Sequence, residues 1–318
     1  MKINNQAIKK LKNSNKVGIF VHINPDGDCL GAASALKQAL VSLNKQVDIF
    51  CDFPIDDRYN YVKYINEINN KTCMSYDLLI AVDCADRKRM GKYSTMFMEH
   101  ENTIKFDHHK TDDDFATITV KEIVSSTCLI LYYYIKALGV EINADIANAL
   151  YMGIATDTGS FQHSNTTYEE HIVAAELIKT GFNLFEANER LFKYCSRSRF
   201  ELLKLALASS KFFYNGQLGI ITITQNDLKQ TKATISDTTG IVDYITNING
   251  IQVGVNIYET QHGLFKVSFR SRGVVDVNKI AESFGGGGHK FASGCNIYGN
   301  ASTVIKKVVE ACKNDLKD

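Results

Sequence analysis

The first half of the chain alternates short β-rich runs with helix-like segments, and this alternation restricts the fold more than any other feature. β-rich runs predict strands at 16–22, 46–51, 77–83, 102–106 and 116–120. At 29–43 apolar residues recur every three or four positions, as on one face of a helix, and further helices are predicted at 125–138 and 144–153. Because parallel strands need crossover connections, this pattern predicts an α/β fold whose N-terminal part is a doubly wound, mostly parallel sheet.

The pattern changes twice in the second half. Residues 166–210 have a helical pattern, and after Asn215-Gly216 strands are predicted at 218–224, 251–258 and 264–270, followed by a glycine-rich segment and a C-terminal helix. At about 150 residues per domain, 318 residues correspond to about two domains. We predict an N-terminal catalytic domain at 1–190, a helical linker at 191–213 and a smaller α+β domain at 214–318.

Charge and cysteine usage exclude several classes of protein. The 36 Lys and Arg residues and 35 Asp and Glu residues leave a net charge of +1, which argues against a broad basic surface for long nucleic acids. The eight cysteines are scattered without a Cys-x-x-Cys pair, which excludes a zinc ribbon. The polar N-terminus and the lack of a long apolar run predict a cytoplasmic protein with free thiols and no membrane association.

Polar clusters follow the ends of three predicted strands. They are His22-Ile-Asn-Pro-Asp26-Gly-Asp28 after the first strand, Asp83 after the third and Asp107-His108-His109 after the fourth. A fourth cluster, around Asp157, closes a predicted helix. In open α/β sheets the carboxyl edge of the strands is where ligands bind, so this edge is the predicted site.

Each cluster alone also has a simpler structural explanation. Asp28 is placed to cap the helix that follows it, and Asp83 to serve as a cap or turn residue after its strand. Asp157 lies close to a glycine that is suited to ending a helix. The imidazole of His22 before two carboxylates, and the paired histidines after Asp107, favour a metal site over these separate roles.

Taken together, the clusters supply enough ligands for two metal ions if one carboxylate bridges them. The predicted ligands are His22, Asp26, Asp28, Asp83, His108 and Asp157. Two metals about 3.5–4 Å apart stabilise the attacking and leaving oxygens in phosphoryl transfer. An oxygen-rich set with two imidazoles favours Mn²⁺ over zinc. We therefore expect two Mn²⁺ ions, with Mg²⁺ or Co²⁺ as substitutes.

A glycine-rich segment near the C-terminus predicts a second polar site. Arg270 and Arg272 end a predicted strand, and Gly286, Gly287 and Gly288 come directly before His289. Glycines let backbone amides approach phosphate oxygens, and arginine binds such oxygens in pairs. We favour anion binding by these residues over a plain flexible loop.

In this order, the motifs resemble those of the DHH phosphoesterase superfamily. The Asp107-His108-His109 triplet is preceded by His22, Asp26, Asp28 and Asp83 and followed by Asp157, and Gly286-Gly-Gly-His289-x-x-Ala-Ser-Gly294 is similar to the signature of the DHHA1 domain. The two-domain layout looks most like the NrnA-like branch. That resemblance implies hydrolysis of short oligoribonucleotides (nanoRNA) to mononucleotides and of 3′-phosphoadenosine 5′-phosphate (pAp) to AMP.

The resemblance also implies a role for each residue. His22, Asp26 and Asp83 would hold one Mn²⁺, and Asp28, Asp83, His108 and Asp157 the other, with a bridging hydroxide attacking phosphorus in line. His109 would contact the scissile phosphate or the leaving oxygen, so that Asp83, Asp107, His108 and His109 form the catalytic set. In the second domain, Arg270, Arg272 and His289 would bind another phosphate, assisted by the backbone of Gly286, Gly287 and Gly288.

Other functions stay open at this point. An enzyme for cyclic di-AMP or the dinucleotide pApA would share the motifs, and a catalytically inactive nucleotide-binding protein is a third reading. The expected partners are short RNA oligonucleotides and small phosphorylated nucleotides, not long duplex nucleic acid. The apolar run 129–135 is expected in the core, with a homodimer surface as the alternative.

Overall fold

Two units, Met1–Tyr194 and Cys195–Asp318, divide the chain in this computed structural model, which describes residues 1–110, 113–193 and 195–316. Residues 197–208, inside the predicted linker, form a helix that packs on the sheet of the second unit through Leu202 and Ala206. The domain limits at 190 and 213 stay a prediction.

The sheet of the first unit is parallel throughout its described strands. These are β1 (Lys16–Phe20), β2 (Gln46–Phe50), β3 (Leu78–Val82), β4 (Thr103–Asp107) and β5 (Ile118–Lys121). Their order is β2-β1-β3-β4-β5, so the direction of winding reverses between β1 and β3. The predicted α/β fold with a doubly wound sheet is confirmed, and ligands bind such sheets at the point of reversal.

Helices cover this sheet. In the described part of the unit they are α1 (Asn5–Asn13), α2 (Gly27–Ser42), α3 (Ser94–Met98), α4 (Thr127–Ala137), α5 (Ala144–Asp157), α6 (Tyr168–Ile178) and α7 (Leu184–Asn188). Single 3₁₀ turns lie at Asp57–Tyr59 and Ile65–Glu67, a longer 3₁₀ segment at Arg87–Tyr93 and a π-helical turn at Glu189–Lys193.

Close packing of α2 against α5 brings the start of one helix to the end of the other. A Cβ atom on Gly31 would lie 2.4 Å from the carbonyl oxygen of Ala149, so only glycine allows this approach. Helix α2 is buried on nearly all sides, and small residues such as Ala32 and Ala35 allow its neighbours to pack this closely. This packing places Asp28, in the first turn of α2, near Asp157, the last residue of α5.

The two faces of the sheet bury separate apolar clusters. One face carries Ile104 and Phe106 against α2, α4 and α5, and the other carries Phe20 and Phe50 among aromatic neighbours. The run 129–135 lies in α4, and Leu129, Ile130, Leu131, Tyr134 and Ile135 are buried within the same unit. The core explanation of this run therefore holds.

The second unit is built on a mixed sheet. Its described strands are β6 (Lys211–Phe213), β7 (Leu218–Ile223), β8 (Val253–Gln261), β9 (Leu264–Ser271), β10 (Gly287–His289) and β11 (Ala292–Tyr298). They are ordered β10-β11-β9-β8-β7-β6, and among them only β7 and β8 pair in parallel. The two short edge strands, β6 and β10, are not among the predicted strands.

Helices lie on both faces of this second sheet. They are α8 (Arg197–Ala208), α9 (Gln225–Thr231), α10 (Ile241–Thr246), α11 (Val277–Ser283) and α12 (Ala301–Cys312), with a 3₁₀ turn at Ile235–Thr238. One apolar cluster includes Val304 of α12 and the other Leu202 of α8. Over the described ranges, none of the helices combines the length and apolarity of a bilayer span.

Candidate active site

His22 and Asp83 lie at the point where the winding of the first sheet reverses. His22 comes two residues after the end of β1, and Asp83 directly follows β3. The backbone of Asp83 is left-handed, with φ of +57°, and its amide donates to the carbonyl of Phe106 at 2.8 Å. Aspartate tolerates this conformation better than most residues. The turn directs the Asp83 side chain across the carboxyl edge of the sheet rather than along the strand.

The His22 ring presents its Nε2 to two carboxylates. Its Nδ1 lies 2.8 Å from the Ile23 carbonyl oxygen and 3.2 Å from Nη2 of Arg89, and the shorter contact assigns the proton to Nδ1. Nε2 then faces Asp83 at 3.5 Å and Asp26 at 3.6 Å. The side chain is 1% exposed, and Nε2 has no hydrogen-bond partner within the described residues. A buried ring nitrogen that faces two carboxylates matches a cation site.

The two carboxylates of the first motif have different roles. Asp26 is the N-cap of α2 and accepts from the amide of Cys29 at 3.1 Å, so the capping position belongs to Asp26 and not to Asp28. Asp28 is fully buried and accepts from the first amides of α4, Thr127 at 2.7 Å and Cys128 at 2.9 Å. Burial, together with the nearby charge of Asp83, raises the pKa of Asp28 to about 7.

His108 faces three carboxylates. Its Nδ1 lies 3.2 Å from the Val124 carbonyl oxygen, which leaves Nε2 pointing at Asp157 at 3.2 Å, Asp83 at 3.4 Å and Asp28 at 4.0 Å. Burial opposes the charged imidazolium, yet the hydrogen bond to Asp157 and the charges of Asp28 and Asp83 raise the pKa of His108 to about 10. Burial and the charge of Asp28 also raise the pKa of Asp157 to about 6. The cluster thus concentrates buried negative charge that divalent cations would compensate.

Asp83 lies between the two histidines. Its Oδ2 faces His22 at 3.5 Å and its Oδ1 faces His108 at 3.4 Å, while the hydroxyl of Thr127 donates to Oδ1 at 2.9 Å. Each oxygen therefore faces a different histidine. Three groups of donor atoms lie within 4.8 Å of one another: His22, Asp26 and Cys29; Asp83, His108 and His109; Asp28, His108 and Asp157. The donor set fits a metal centre.

Asp107 contacts His109 and not the carboxylate cluster. Its Oδ1 lies 2.7 Å from His109 Nδ1, and its Oδ2 lies 3.1 Å from Lys105 Nζ. Burial by itself would raise the pKa of Asp107, but the hydrogen bond from His109 and the charge of Lys105 hold the pKa below its ordinary value. Asp107 is therefore an ionised carboxylate behind the His109 ring.

Three residues that support the site were missed from sequence. Thr127 holds both Asp28 and Asp83, Gly153 leaves room for Asp28, and Lys105 pairs with Asp107. Ser-Ser-Thr before an apolar run is a helix-start signal that could have indicated Thr127. A glycine inside a helical pattern signals close packing, although not against which partner. No local pattern indicates that a strand lysine is buried.

The predicted residues of the second unit lie on or beside β9 and β10, which flank β11. Arg270 on β9 pairs with Ala292 on β11, which pairs in turn with His289 on β10. Arg270 lies 3.7 Å from Asp243 and donates to the Phe269 carbonyl at 3.1 Å, while Arg272 donates to the Thr246 carbonyl at 3.1 Å. Arg270 and His289 are thus in line across this sheet, with Ala292 of β11 between them.

The glycines of this segment have a packing reason of their own. A Cβ on Gly286 would lie 2.2 Å from the carbonyl oxygen of Gly294, and one on Gly288 2.6 Å from that of Ala292. Gly287 is exposed, and the atom nearest to its Cβ position, Asn278 Oδ1, is 4.0 Å away. Gly286 and Gly288 therefore allow β10 to approach β11, and only Gly287 leaves its side open.

Comparisons with known proteins agree with the resemblance. The profile of the DHH family, N-terminal domain, matches residues 16–154, and that of the DHHA1 domain matches 220–317. The chain is 32% identical to the bifunctional oligoribonuclease and PAP phosphatase NrnA of Thermus thermophilus over 306 residues, covering 94% of this chain and 89% of that one. It is 28% identical to the Bacillus subtilis protein of the same name over 301 residues, with 92% and 93% covered.

A solved structure extends the agreement to the whole fold. An exopolyphosphatase-related protein from Bacteroides fragilis superposes with a TM-score of 0.90 at 25% identity, covering 96% of this chain and 94% of that one. The assignment rests on the DHH and DHHA1 profiles, in that order along the chain, and on the 32% identity to the Thermus thermophilus protein over most of both chains. The chain belongs to the DHH family of phosphoesterases, in the NrnA-like group whose DHH domain is followed by a DHHA1 domain.

Proposed function

We propose that this phosphoesterase hydrolyses short oligoribonucleotides to mononucleotides and pAp to AMP, in a Mn²⁺-dependent reaction. The observation that carries the proposal is the buried cluster at the point where the winding of the first sheet reverses. There, His22 Nε2 and His108 Nε2 face carboxylates arranged around Asp83. The names of the relatives from Thermus thermophilus and Bacillus subtilis support this choice of substrates.

The cluster divides into two sets of ligands that share Asp83. His22, Asp26 and Asp83 would hold one ion, and Asp28, Asp83, His108 and Asp157 the other, as carboxylate oxygens and imidazole nitrogens suit Mn²⁺, with Mg²⁺ or Co²⁺ as substitutes. Two divalent ions, when bound, lower the pKa of water and neutralise the charge that develops on the phosphate. Ring orientation comes from the carbonyls of Ile23 and Val124, which accept from the Nδ1 atoms of the two histidines.

The remaining residues of the triplet act on the substrate. His109 is 29% exposed at its side chain, and its Nδ1 is held by Asp107, so Nε2 is the atom left for a phosphate oxygen. We assign His109 to the scissile phosphate or the leaving oxygen, and Asp107 to holding the His109 ring. Water attacks phosphorus in line as the P–O bond to the leaving oxygen breaks.

Arg270, His289 and the open backbone at Gly287 are proposed to bind another phosphate of the substrate. We expect Arg270→Ala to raise KM for pAp by about tenfold with little change in kcat, since the arginine would contact a phosphate remote from the reaction. Steady-state kinetics at saturating Mn²⁺ measures both constants.

Lys266→Ala is the matched control for this variant. Lys266 is exposed and lies four residues before Arg270 on β9, so its replacement removes the same charge from the same strand. KM should stay at the wild-type value in Lys266→Ala. An unchanged KM in Arg270→Ala would remove Arg270 from the substrate site.

A panel of substrates tests the function as a whole. We expect turnover of pAp and of RNA dimers to pentamers in the presence of Mn²⁺, and slower turnover of pApA and cyclic di-AMP under the same conditions. Preference for cyclic di-AMP or pApA would assign the chain to dinucleotide hydrolysis instead. No turnover and no Mn²⁺ by elemental analysis would indicate an inactive nucleotide-binding protein.

A further inference from the structure

Lys105 is a fully buried lysine in the first unit, and the proposed function gives it no role. It lies on β4, and its side chain is 1% exposed. Its ammonium group lies 3.1 Å from the Asp107 carboxylate, 3.1 Å from the Asp113 carbonyl oxygen and 3.4 Å from the Ala85 carbonyl oxygen. The same group lies 4.8 Å from the centre of the Phe115 ring.

A lysine is an unfavourable residue at this position unless its charge is needed. The surrounding side chains include Phe97 and Phe115, a cluster in which a methionine would pack without loss of hydration. Burial of an ammonium group is tolerated only when it is paired and hydrogen-bonded, as it is here by one carboxylate and two carbonyls. The role of the Lys105 charge can therefore be inferred from the groups that its ammonium contacts.

Lys105 is connected to His109 through one intervening residue, Asp107. Side chains alternate along a strand, so Lys105 and Asp107 lie on the same face of β4. Asp107 uses one oxygen for Lys105 and the other for His109 Nδ1 at 2.7 Å. One oxygen is ion-paired and the other is hydrogen-bonded, so rotation of the carboxylate would break both contacts, and the carboxylate restrains the His109 ring in turn.

We propose that Lys105 is a positioning residue for His109: it anchors Asp107, which fixes the orientation and tautomer of the His109 ring so that Nε2 is presented to the substrate phosphate. The proposal rests on the role given to His109 in the proposed function. It assigns no contact between Lys105 and substrate or metal.

A double-mutant cycle between Lys105 and His109 tests the coupling. Lys105→Met should lower kcat by about 10²-fold in the wild-type background, the effect typical of losing a residue that orients an active-site group. In a His109→Ala background the same change should lower kcat by less than about twofold, because nothing is left to position. Equal losses in both backgrounds would overturn the proposal.

Metal affinity separates positioning from general damage to the site. Mn²⁺ binding, followed by electron paramagnetic resonance of the free ion, should be unchanged in Lys105→Met. Ala85 lies two residues after Asp83. If Lys105 only supported this loop, its replacement would therefore alter the metal centre. A Mn²⁺ affinity that falls in parallel with kcat would therefore refute the assignment to His109.

A second variant covers the case in which Lys105→Met does not fold, since it leaves the Asp107 carboxylate buried without its partner. Lys105→Met combined with Asp107→Asn removes both charges, and the asparagine oxygen can still accept from His109 Nδ1. We expect kcat of this double variant to be about tenfold higher than that of Lys105→Met alone. If Lys105→Met does not fold, the double variant takes its place in the cycle. Failure to exceed the activity of His109→Ala would contradict the proposal.

Lys45→Met is the matched control. Lys45 is also a poorly exposed lysine of the first unit, but its ammonium donates to the carbonyls of Lys12 at 2.7 Å and Ser14 at 2.6 Å. Its replacement should lower the melting temperature and leave kcat unchanged; a comparable fall in kcat would mean that loss of any buried lysine has this effect.

The substrate chosen keeps this test separate from that of the proposed function. Bis(p-nitrophenyl) phosphate is a generic phosphodiester, and the cycle is measured on it as well as on pAp. Turnover of the generic ester without turnover of pAp or RNA would reject the proposed substrates and still report on Lys105. An additive cycle with normal pAp turnover would reject the role of Lys105 alone.

Discussion

Asp83→Asn is expected to lower kcat by about 10⁴-fold, because the loss of a shared metal ligand removes several kcal/mol of transition-state stabilisation and each 1.36 kcal/mol is tenfold in rate. The two oxygens of Asp83 face His22 and His108, so one substitution affects both sets of ligands. The amide is nearly isosteric and keeps an oxygen for Thr127, which limits the structural change. Steady-state kinetics and elemental analysis for manganese measure the two consequences.

Asp77→Asn is the matched control at the other end of the same strand. Asp77 immediately precedes β3 and accepts from the amides of Asn15 and Lys16, both at 2.9 Å, far along the strand from Asp83. The Asp77→Asn variant should keep the wild-type kcat and bound manganese, and only its free energy of unfolding should fall. Near-wild-type hydrolysis by Asp83→Asn would refute the assignment of Asp83 as the shared ligand.

Gly153→Ala is expected to lower kcat by about 10²-fold or more, although Gly153 carries no chemical group. A Cβ atom there would lie 2.2 Å from Cys128 Sγ and 2.5 Å from Asp28 Oδ1, so either helix α5 or the carboxylate must move. A displacement of about 1 Å at a catalytic group is sufficient for a loss of this size. Bound manganese should fall with kcat, and overpacking should lower the free energy of unfolding by about 1–3 kcal/mol.

Gly31→Ala provides the comparison, because it overpacks the same helices without touching the carboxylate. Its Cβ would lie 2.4 Å from the Ala149 carbonyl oxygen and 3.1 Å from Cys128 Sγ. We expect a similar loss of stability, measured by urea denaturation, and a smaller loss of manganese and kcat. Equal losses of bound manganese in the two variants would show that helix spacing, and not the position of Asp28, controls the metal centre.

Much of the fold could be predicted because the relevant signals are local. The β-rich runs at 16–22 and 77–83 and the helical periodicity at 29–43 lead directly to a parallel sheet with crossover helices. The short edge strands Lys211–Phe213 and Gly287–His289 could not be predicted in this way, since three residues carry no periodicity and their pairing depends on a partner strand.

The candidate site was predictable in its residues but not in its arrangement. The motifs around His22, Asp83 and His108 are visible in the sequence because metal ligands of these types rarely occur together after strands. The simpler explanation considered for Asp28 was a cap on α2, and the structure gives that role to Asp26, because Asp28 accepts from the first amides of α4.

By itself, the sequence determined the class of fold, the edge of the sheet at which the polar groups meet and the family of the chain, because strand patterns and motif spacing are properties of short segments. Only the tertiary structure decided that Asp83 lies between two histidines, that Gly153 makes room for Asp28 and that Lys105 is buried against Asp107. These contacts depend on the packing of separate helices and strands, and on the cost of burying charge, which no local pattern encodes.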